Sequence, residues 1–258
     1  MAPVEEITGG WDSRAYLVDG TWLDREPRRP GAAEALRTET RLLPWLAPQL
    51  PLPVPLPVVL RGDPLRVRHR LVPGEPVTAV TGPQGIALGR FFHVLHAVNA
   101  RGAVARGVAD AARAHHELGG QLRRFRDDVL PRLPAGERDA GAGLLDRLAR
   151  PAPATCLVHG DVGPAQLLVV GDRVSGVIDW GDARIGDPAL DLAWLTHGSG
   201  AAAAVAAGYG AGPGLLARAR DWHLLGPWHE VTYGLDTDQP EFVDSGMDGV
   251  RTRLNSGQ

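Results

Sequence analysis

Residues 157–182 read LVHGDVGPAQLLVVGDRVSGVIDWGD. Apolar runs flank the polar clusters. Cys156, Leu157 and Val158 lead into His159-Gly160-Asp161, and Val174, Val177 and Ile178 lead into Asp179-Trp180-Gly181. Short apolar runs bounded by turn residues read as strands. A strand, a turn, a hairpin and a second turn are therefore expected, and they bring Asp161, Gln166 and Asp179 into one cleft. That set holds two carboxylates and one amide oxygen. One carboxylate can orient or deprotonate an attacking hydroxyl, and the other two groups can hold the Mg2+ of a nucleotide triphosphate. Mg2+ is commonly bound by one or two carboxylates together with substrate phosphates and water.

The rest of the composition is that of an ordinary globular protein, with 258 residues, 44% hydrophobic and 22% charged. Such a length buries one sizeable core, or two lobes around a cleft. The formal net charge of −3 predicts no basic face for nucleic acid. The basic stretches Arg66–Arg70 and Arg123–Arg126 are short and read as solvated or structural. All 27 basic residues are arginine. The single cysteine, Cys156, precludes an intramolecular disulfide and reads as a small buried hydrophobe. The N-terminal MAPVEEITGGWD lacks the basic and apolar regions of a signal peptide. No apolar run approaches the ~20 residues of a membrane span, so a cytoplasmic protein without a membrane partner is expected. The histidines form no H-x-x-x-H pair with a nearby carboxylate, so zinc is not expected. A Walker motif is absent as well.

Along the chain, residues 1–72 read as a small β-rich lobe. Gly9-Gly10-Trp11-Asp12-Ser13 is a turn, and strands on either side of Asp19-Gly20 form a hairpin. Pro30 suits the first turn of a helix over Ala32–Trp45, which Pro44 kinks or stops. The proline-rich Pro48–Pro57 is an extended connector, and a second hairpin spans Gly62-Asp63. Val72-Pro73-Gly74-Glu75-Pro76 is the linker. Residues 73–258 then read as a larger, mostly helical lobe. It has helices over Ile86–Val98, Ala109–Val129 (broken at Gly119-Gly120), Leu144–Leu148, Ala189–Leu195, Ala201–Tyr209 and Leu215–Trp228. The fold class is α+β, two lobes with a cleft at the linker.

The spacing H-x-D-x-x-x-x-Q followed by D-x-G matches the kinase catalytic loop, with Gln166 where kinases have asparagine. Leu157–Val169 and Val177–Leu192 together resemble the aminoglycoside phosphotransferase family, the bacterial small-molecule branch of the protein-kinase-like fold. Weaker matches lie at Gly10–Ser13, Trp22–Arg28, Thr38–Leu43, Pro73–Pro76 and Leu95-His96-Ala97. The resemblance implies a nucleotide-binding lobe over 1–72 and a catalytic, acceptor-binding lobe over 73–258. It implies that Asp161 is the catalytic aspartate facing the acceptor hydroxyl and that Gln166 and Asp179 hold Mg2+. Arg25 would lie on the nucleotide phosphates with Glu39 as its helix partner, and Leu71 and Val72 at the adenine-binding hinge. ATP or GTP would be the donor and a small-molecule hydroxyl the acceptor, an antibiotic foremost. Monomer and dimer are both open.

Two departures stand out. Gln166 is one methylene longer than asparagine, though its carbonyl is still a hard oxygen ligand. Arg25 lies between Asp24 and Glu26, which in a regular strand share the face opposite Arg25. A nucleotide-binding pseudokinase and a tailoring kinase for a natural-product peptide are the rival readings. His159 reads as a loop-packing residue, and Asp187 and Asp191 as braces of the catalytic loop. Trp222, Trp228 and Tyr233 read as core. If the acceptor is cationic, Asp187, Asp221, Glu230, Asp236 and Asp238 are the carboxylates expected to line its cleft.

Overall fold

A computed structural model describes residues 4–7, 12–152 and 154–256. Gly9, Gly10 and Trp11 of the expected first turn lie outside the described residues. An antiparallel sheet comes first, made of β1 (Val4–Ile7), β2 (Ser13–Val18), β3 (Trp22–Pro27), β4 (Val58–Gly62) and β5 (Leu65–Arg70) in the order β1-β2-β3-β5-β4. The strand β1 was not anticipated. β2 and β3 form the hairpin expected at Asp19-Gly20, where φ is 54° and 61°, the left-handed pair that an Asp-Gly turn favours. Helix α1 (Pro30–Leu46) has Pro30 in its first turn. Pro44 does not end it, because so near the C-terminus proline removes one hydrogen bond and leaves little helix to displace.

The packing of α1 on the sheet follows from two periods. Leu36, Glu39, Leu43 and Leu46 recur at helical spacing and are all buried, so the Glu39 carboxylate is carried into the apolar face. In β3 the side chains alternate. Arg25 points to α1, where Leu36 packs on Leu65 and Val67, while Asp24 points the other way. There Asp24 accepts two bonds from Arg68 at 2.5 and 2.9 Å, and Glu26 accepts one from Arg66 at 2.7 Å. The basic stretch on β5 is thus the counter-charge to the acidic neighbours of Arg25.

The larger part contains β6 (Glu75–Pro76), α2 (Gly82–Ala97), α3 (Ala100–Val104), α4 (Ala111–Arg124), α5 (Ala135–Ala149), β7 (Cys156–Val158), β8 (Leu167–Val170), β9 (Arg173–Val177), β10 (Arg184–Gly186), α6 (Pro188–His197), α7 (Ala202–Tyr209), α8 (Pro213–Asp236) and α9 (Pro240–Asn255). Thr81 and Gln84 close a reciprocal capping box on α2. Contrary to expectation, Gly119-Gly120 do not break α4. Two helical glycines cost only about 1 kcal/mol each, and the Asp110 cap and burial of Leu122 hold the helix. The irregularity falls just beyond, in a π-helical turn over Phe125–Val129. α9 was missed; its buried Gly246, Val250 and Leu254 recur every fourth residue. The linker is not free either. Glu75 and Pro76 pair with Val169 and Leu168 of β8, and Gly74, at φ 124°, passes so close that a Cβ would lie 2.7 Å from the Val169 carbonyl oxygen.

α2 and α7 cross on two glycines. A Cβ at Gly89 would lie 2.7 Å from the Tyr209 nitrogen, and one at Gly208 would lie 2.9 Å from the Ile86 Cα. Gly208→Ala is expected to cost about 1–3 kcal/mol through overpacking. Gly136→Ala, where nothing lies within 4 Å of a Cβ, should be neutral or stabilising by up to about 1 kcal/mol. Urea denaturation of the two variants checks the contrast.

Candidate active site

β7 ends at Val158, and the chain turns through Gly160 at φ 93°. A Cβ there would strike the Asp182 carbonyl and come within 2.7 Å of Arg184 Nη1, so only glycine passes. The turn is tied on its inner side. The His159 and Gly160 amides donate to Asp191 Oδ2 and Oδ1 at 2.7 and 2.9 Å, and His96 Nε2 donates to Oδ2 at 3.1 Å. Burial alone would raise the Asp191 carboxyl. The hydrogen bonds from His96 and from the Gly160 N–H outweigh it and hold Asp191 below the usual carboxylate range. The buried His159 ring lies 4.7 Å from the Trp180 ring. It accepts the Asp161 N–H at Nδ1 (3.3 Å) and donates Nε2–H to the Ile178 carbonyl (2.9 Å). With both nitrogens engaged, His159 packs the loop.

Asp161 itself opens on the cleft. Partial burial, then repulsion from Asp182 and Asp179, raise its carboxyl against the pull of His159 and Arg184. Gln166 Nε2 lies 3.5 Å from Asp161 Oδ2. One backbone bond, Ile178 N–H to the Gln166 carbonyl at 2.9 Å, closes the open end of the β8–β9 hairpin and puts Gln166 beside Asp179. Asp179 takes φ 65°, a left-handed conformation that aspartate tolerates better than most residues, and its side chain is 54% exposed.

From the other lobe, Arg25 Nη1 meets both Glu39 oxygens at 3.1 and 2.9 Å, and Nη2 reaches to 3.5 Å from Asp179 Oδ1. Burial pushes Glu39 up to about 7, Arg25 pulls it back and Asp179 opposes that. Leu71 donates its N–H to the Thr21 carbonyl at 2.8 Å and exposes its side chain. Val72 is buried against Gly176. The structure thus brings Arg25, Glu39, Asp161, Gln166 and Asp179 to one cleft, with Leu71 and Val72 on the segment that joins the lobes.

The expected acidic lining is largely committed elsewhere. Asp187 caps α6 and accepts from Arg218 and from Trp222 Nε1 (2.8 Å). Asp221 is paired with Arg147 at 2.8 Å, and Asp236 with Arg124 at 2.6 Å. An arginine-rich chain neutralises its own surface carboxylates. Trp222 and Trp228 are buried, and Tyr233 stacks edge-on against Phe242 at 5.2 Å. Sequence reasoning missed His96 and Arg184. A polar residue on the apolar face formed by Phe92 and Leu95 was the available signal for His96.

Among the described residues no group of three or more histidine, cysteine or acidic side chains forms a metal cage. Mg2+ does not need one, since phosphates complete its shell. Asp179 and Gln166 offer hard oxygens only; burial raises both Asp161 and Asp182, and repulsion from Asp179 adds to both. A divalent cation would relieve that repulsion, so the donor set fits.

A family model described as the phosphotransferase enzyme family (APH) matches residues 3–228. This chain belongs to that family. Viomycin phosphotransferase of Streptomyces vinaceus is 41% identical over 73 residues, which is 26% of this chain and 25% of that protein. The aligned part is thus a quarter of that relative's length. Among solved structures, the GDP and kanamycin complex of APH(2")-IIia aligns over 99% of this chain and 94% of its own at 23% identity, with a TM-score of 0.88. The macrolide 2'-phosphotransferase MphH of Brachybacterium faecium aligns over 96% and 91% at 25% identity, with a TM-score of 0.76. The two-lobed kinase-like fold is therefore shown. No helix among the described residues is long and apolar enough to cross a membrane.

Glu39 gives a pH dependence with a definite sign. Its folded-state carboxyl, at about 7, lies above its ordinary 4.5, so between those values the folded protein holds the proton that the unfolded chain has lost. Stability present at low pH is lost as pH rises through about 7, by roughly 3 kcal/mol at ~1.4 kcal/mol per unit. Unfolding free energies of the wild type and Glu39→Gln, measured from about pH 5 to 8, should converge or cross as pH rises. Parallel curves would mean that Glu39 is ionised throughout.

Proposed function

We propose that the protein moves the γ-phosphoryl of ATP or GTP to a hydroxyl of a small molecule. The observation that carries this reading is the convergence of Asp161, Gln166 and Asp179 on one cleft, across from Arg25 and Glu39 of the other lobe. Phosphoryl transfer needs positioning and charge neutralisation more than covalent help from the protein. Asp161, held by the His159 ring and the braced turn, aligns the acceptor hydroxyl and takes its proton. Its carboxyl, raised by burial, is a stronger proton acceptor than an exposed aspartate. Arg25, oriented by Glu39, presents its guanidinium to the phosphates, which a planar fork can grip through two oxygens. Asp179 and Gln166 would hold Mg2+, which when bound neutralises phosphate charge. Leu71 and Val72, on the joining segment, flank the base.

Family membership and the antibiotic phosphotransferases among the similar proteins support an antibiotic hydroxyl as acceptor. The committed state of Asp187, Asp221 and Asp236 removes three carboxylates from any polycation-binding wall. The test of the reaction class is an ATP and GTP consumption screen against antibiotic and amino-alcohol acceptors.

Three substitutions test the roles. Asp161→Asn should cut turnover by roughly 10²–10⁴-fold with little change in nucleotide affinity. Asp179→Asn should abolish Mg2+-dependent binding of a non-hydrolysable nucleotide in titration calorimetry while the protein still folds; unchanged affinity would remove Asp179 from the metal site. Gln166→Asn keeps a carbonyl oxygen and should stay active, whereas Gln166→Leu offers no lone pair and should not. Equal inertness of wild type and all variants in steady-state kinetics would instead favour the pseudokinase.

A further inference from the structure

We propose that the Tyr209 hydroxyl, at the far end of α7, is a positioning group for the phosphotransfer loop and acts through His96 and Asp191. The proposal rests on the reading above in that the loop it positions is taken as the reactive one.

The argument is one of donors and acceptors. An ionised Asp191 can only accept, and its donors are two backbone amides and His96 Nε2. A neutral imidazole has a single N–H, so a proton on Nε2 leaves Nδ1 as an acceptor, and the partner of Nδ1 selects that tautomer. The partner is Tyr209, whose hydroxyl lies 2.9 Å from His96 Nδ1. Burial pushes the phenol up to about 12, so the hydroxyl keeps the proton it donates. Bulk water does not substitute, because only 5% of the His96 side chain is exposed.

Tyr209 is itself held in place. Its carbonyl accepts from His93 Nδ1 at 3.0 Å, and its ring lies edge-on to His93 and His96 at 5.7 and 5.5 Å. Its backbone nitrogen sits over Gly89 at the crossing of α2 and α7. The series Tyr209–His96–Asp191 then passes to the His159 and Gly160 amides. His159 repeats the device, accepting from the Asp161 amide and donating to the carbonyl of Ile178, the residue before Asp179. Without the Tyr209 hydroxyl, Nδ1 is left without a donor in a buried site. The ring can then flip or take a second proton, and the three-donor arrangement on Asp191 loosens.

Tyr209→Phe removes the hydroxyl and keeps the ring. Long-range proton–nitrogen NMR of the full-length protein, with the His96 signal assigned through His96→Gln, should show a neutral Nε2–H tautomer in the wild type. In Tyr209→Phe it should show mixed tautomers or a protonated ring, and faster amide exchange at Gly160 and Asp161. With an acceptor in hand, kcat should fall roughly 5–30-fold, the scale of one buried hydrogen bond. KM for the magnesium nucleotide should stay within about twofold, as expected where an interaction acts on the transfer step and not on ground-state binding. Adding Tyr209→Phe to His96→Gln should cause no further loss, since residues that act in series are not additive. An unchanged His96 tautomer with unchanged loop exchange in Tyr209→Phe overturns the proposal, whatever happens to the melting temperature. An inactive wild type counts against the phosphotransfer reading alone, because the tautomer and exchange measurements need no turnover.

Discussion

Asp191 is a charged group with no solvent access, held by the His159 and Gly160 backbone amides and one histidine ring. A carboxylate in such a place is costly unless its oxygens are matched by donors. The two amides are in the same position, for the β7–β10 ladder covers Cys156–Val158 and stops just before His159. Buried backbone N–H groups need partners, so the carboxylate and the loop satisfy one another. The position of Asp191 is fixed in turn. It lies in the first turn of α6, where the helix dipole favours an anion. The start of that helix is set by Pro188 and the Asp187 cap, with Arg218 and Trp222 clamping the cap. The Gly-Asp-Pro-x-x-Asp spacing is thus a mechanical one: cap, helix turn, carboxylate, loop.

Arginine governs the charge balance because the chain has no other strong base. In the N-terminal lobe this is an advantage. The Arg25 fork addresses both Glu39 oxygens with one nitrogen and faces Asp179 with another, which a lysine point charge does less well. In the C-terminal lobe the same composition ties Asp221 and Asp236 into surface pairs. Exposed pairs of this kind add little stability. Their consequence is electrostatic, since carboxylates that could attract a cation are already neutralised.

The elements most legible in sequence were those set by short-range chemistry: the Asp19-Gly20 hairpin, the start of α1 at Pro30, the strands around residues 157–182. The opposite faces of Arg25 and Asp24 followed from strand alternation alone. What failed were inferences in which a local signal met a tertiary one. Gly119-Gly120 and Pro44 are weak breakers against a capped or nearly finished helix. α9 was overlooked because its apolar residues are sparse and two of its contacts are glycines packed on Pro227 and Val231. In the site, one motif located Asp161, Gln166 and Asp179. His96 and Tyr209 were not readable as part of it, because they join it through contacts more than ninety residues away in sequence.

The two lobes meet on the β8–β9 hairpin, and the magnitudes say what sets their register. The Arg25–Asp179 pair spans 3.5 Å, with Asp179 more than half exposed; an ion pair of that kind is worth about 0–1 kcal/mol and cannot align two lobes. Stronger ties run along the hairpin. The Val177 N–H meets the Pro53 carbonyl of the proline-rich connector at 3.0 Å, and the Val77 N–H meets the Leu167 carbonyl at 2.9 Å. Ser175 Oγ donates to the Pro73 carbonyl at 2.5 Å, while Val72 rests on Gly176. The linker is thus laid along the same two strands whose open end carries Gln166 and Asp179. Connector, linker and the Gln166 and Asp179 side chains gather on one small sheet, so the position of Arg25 opposite Asp179 is inherited from backbone bonding, and the ion pair reports that alignment without creating it.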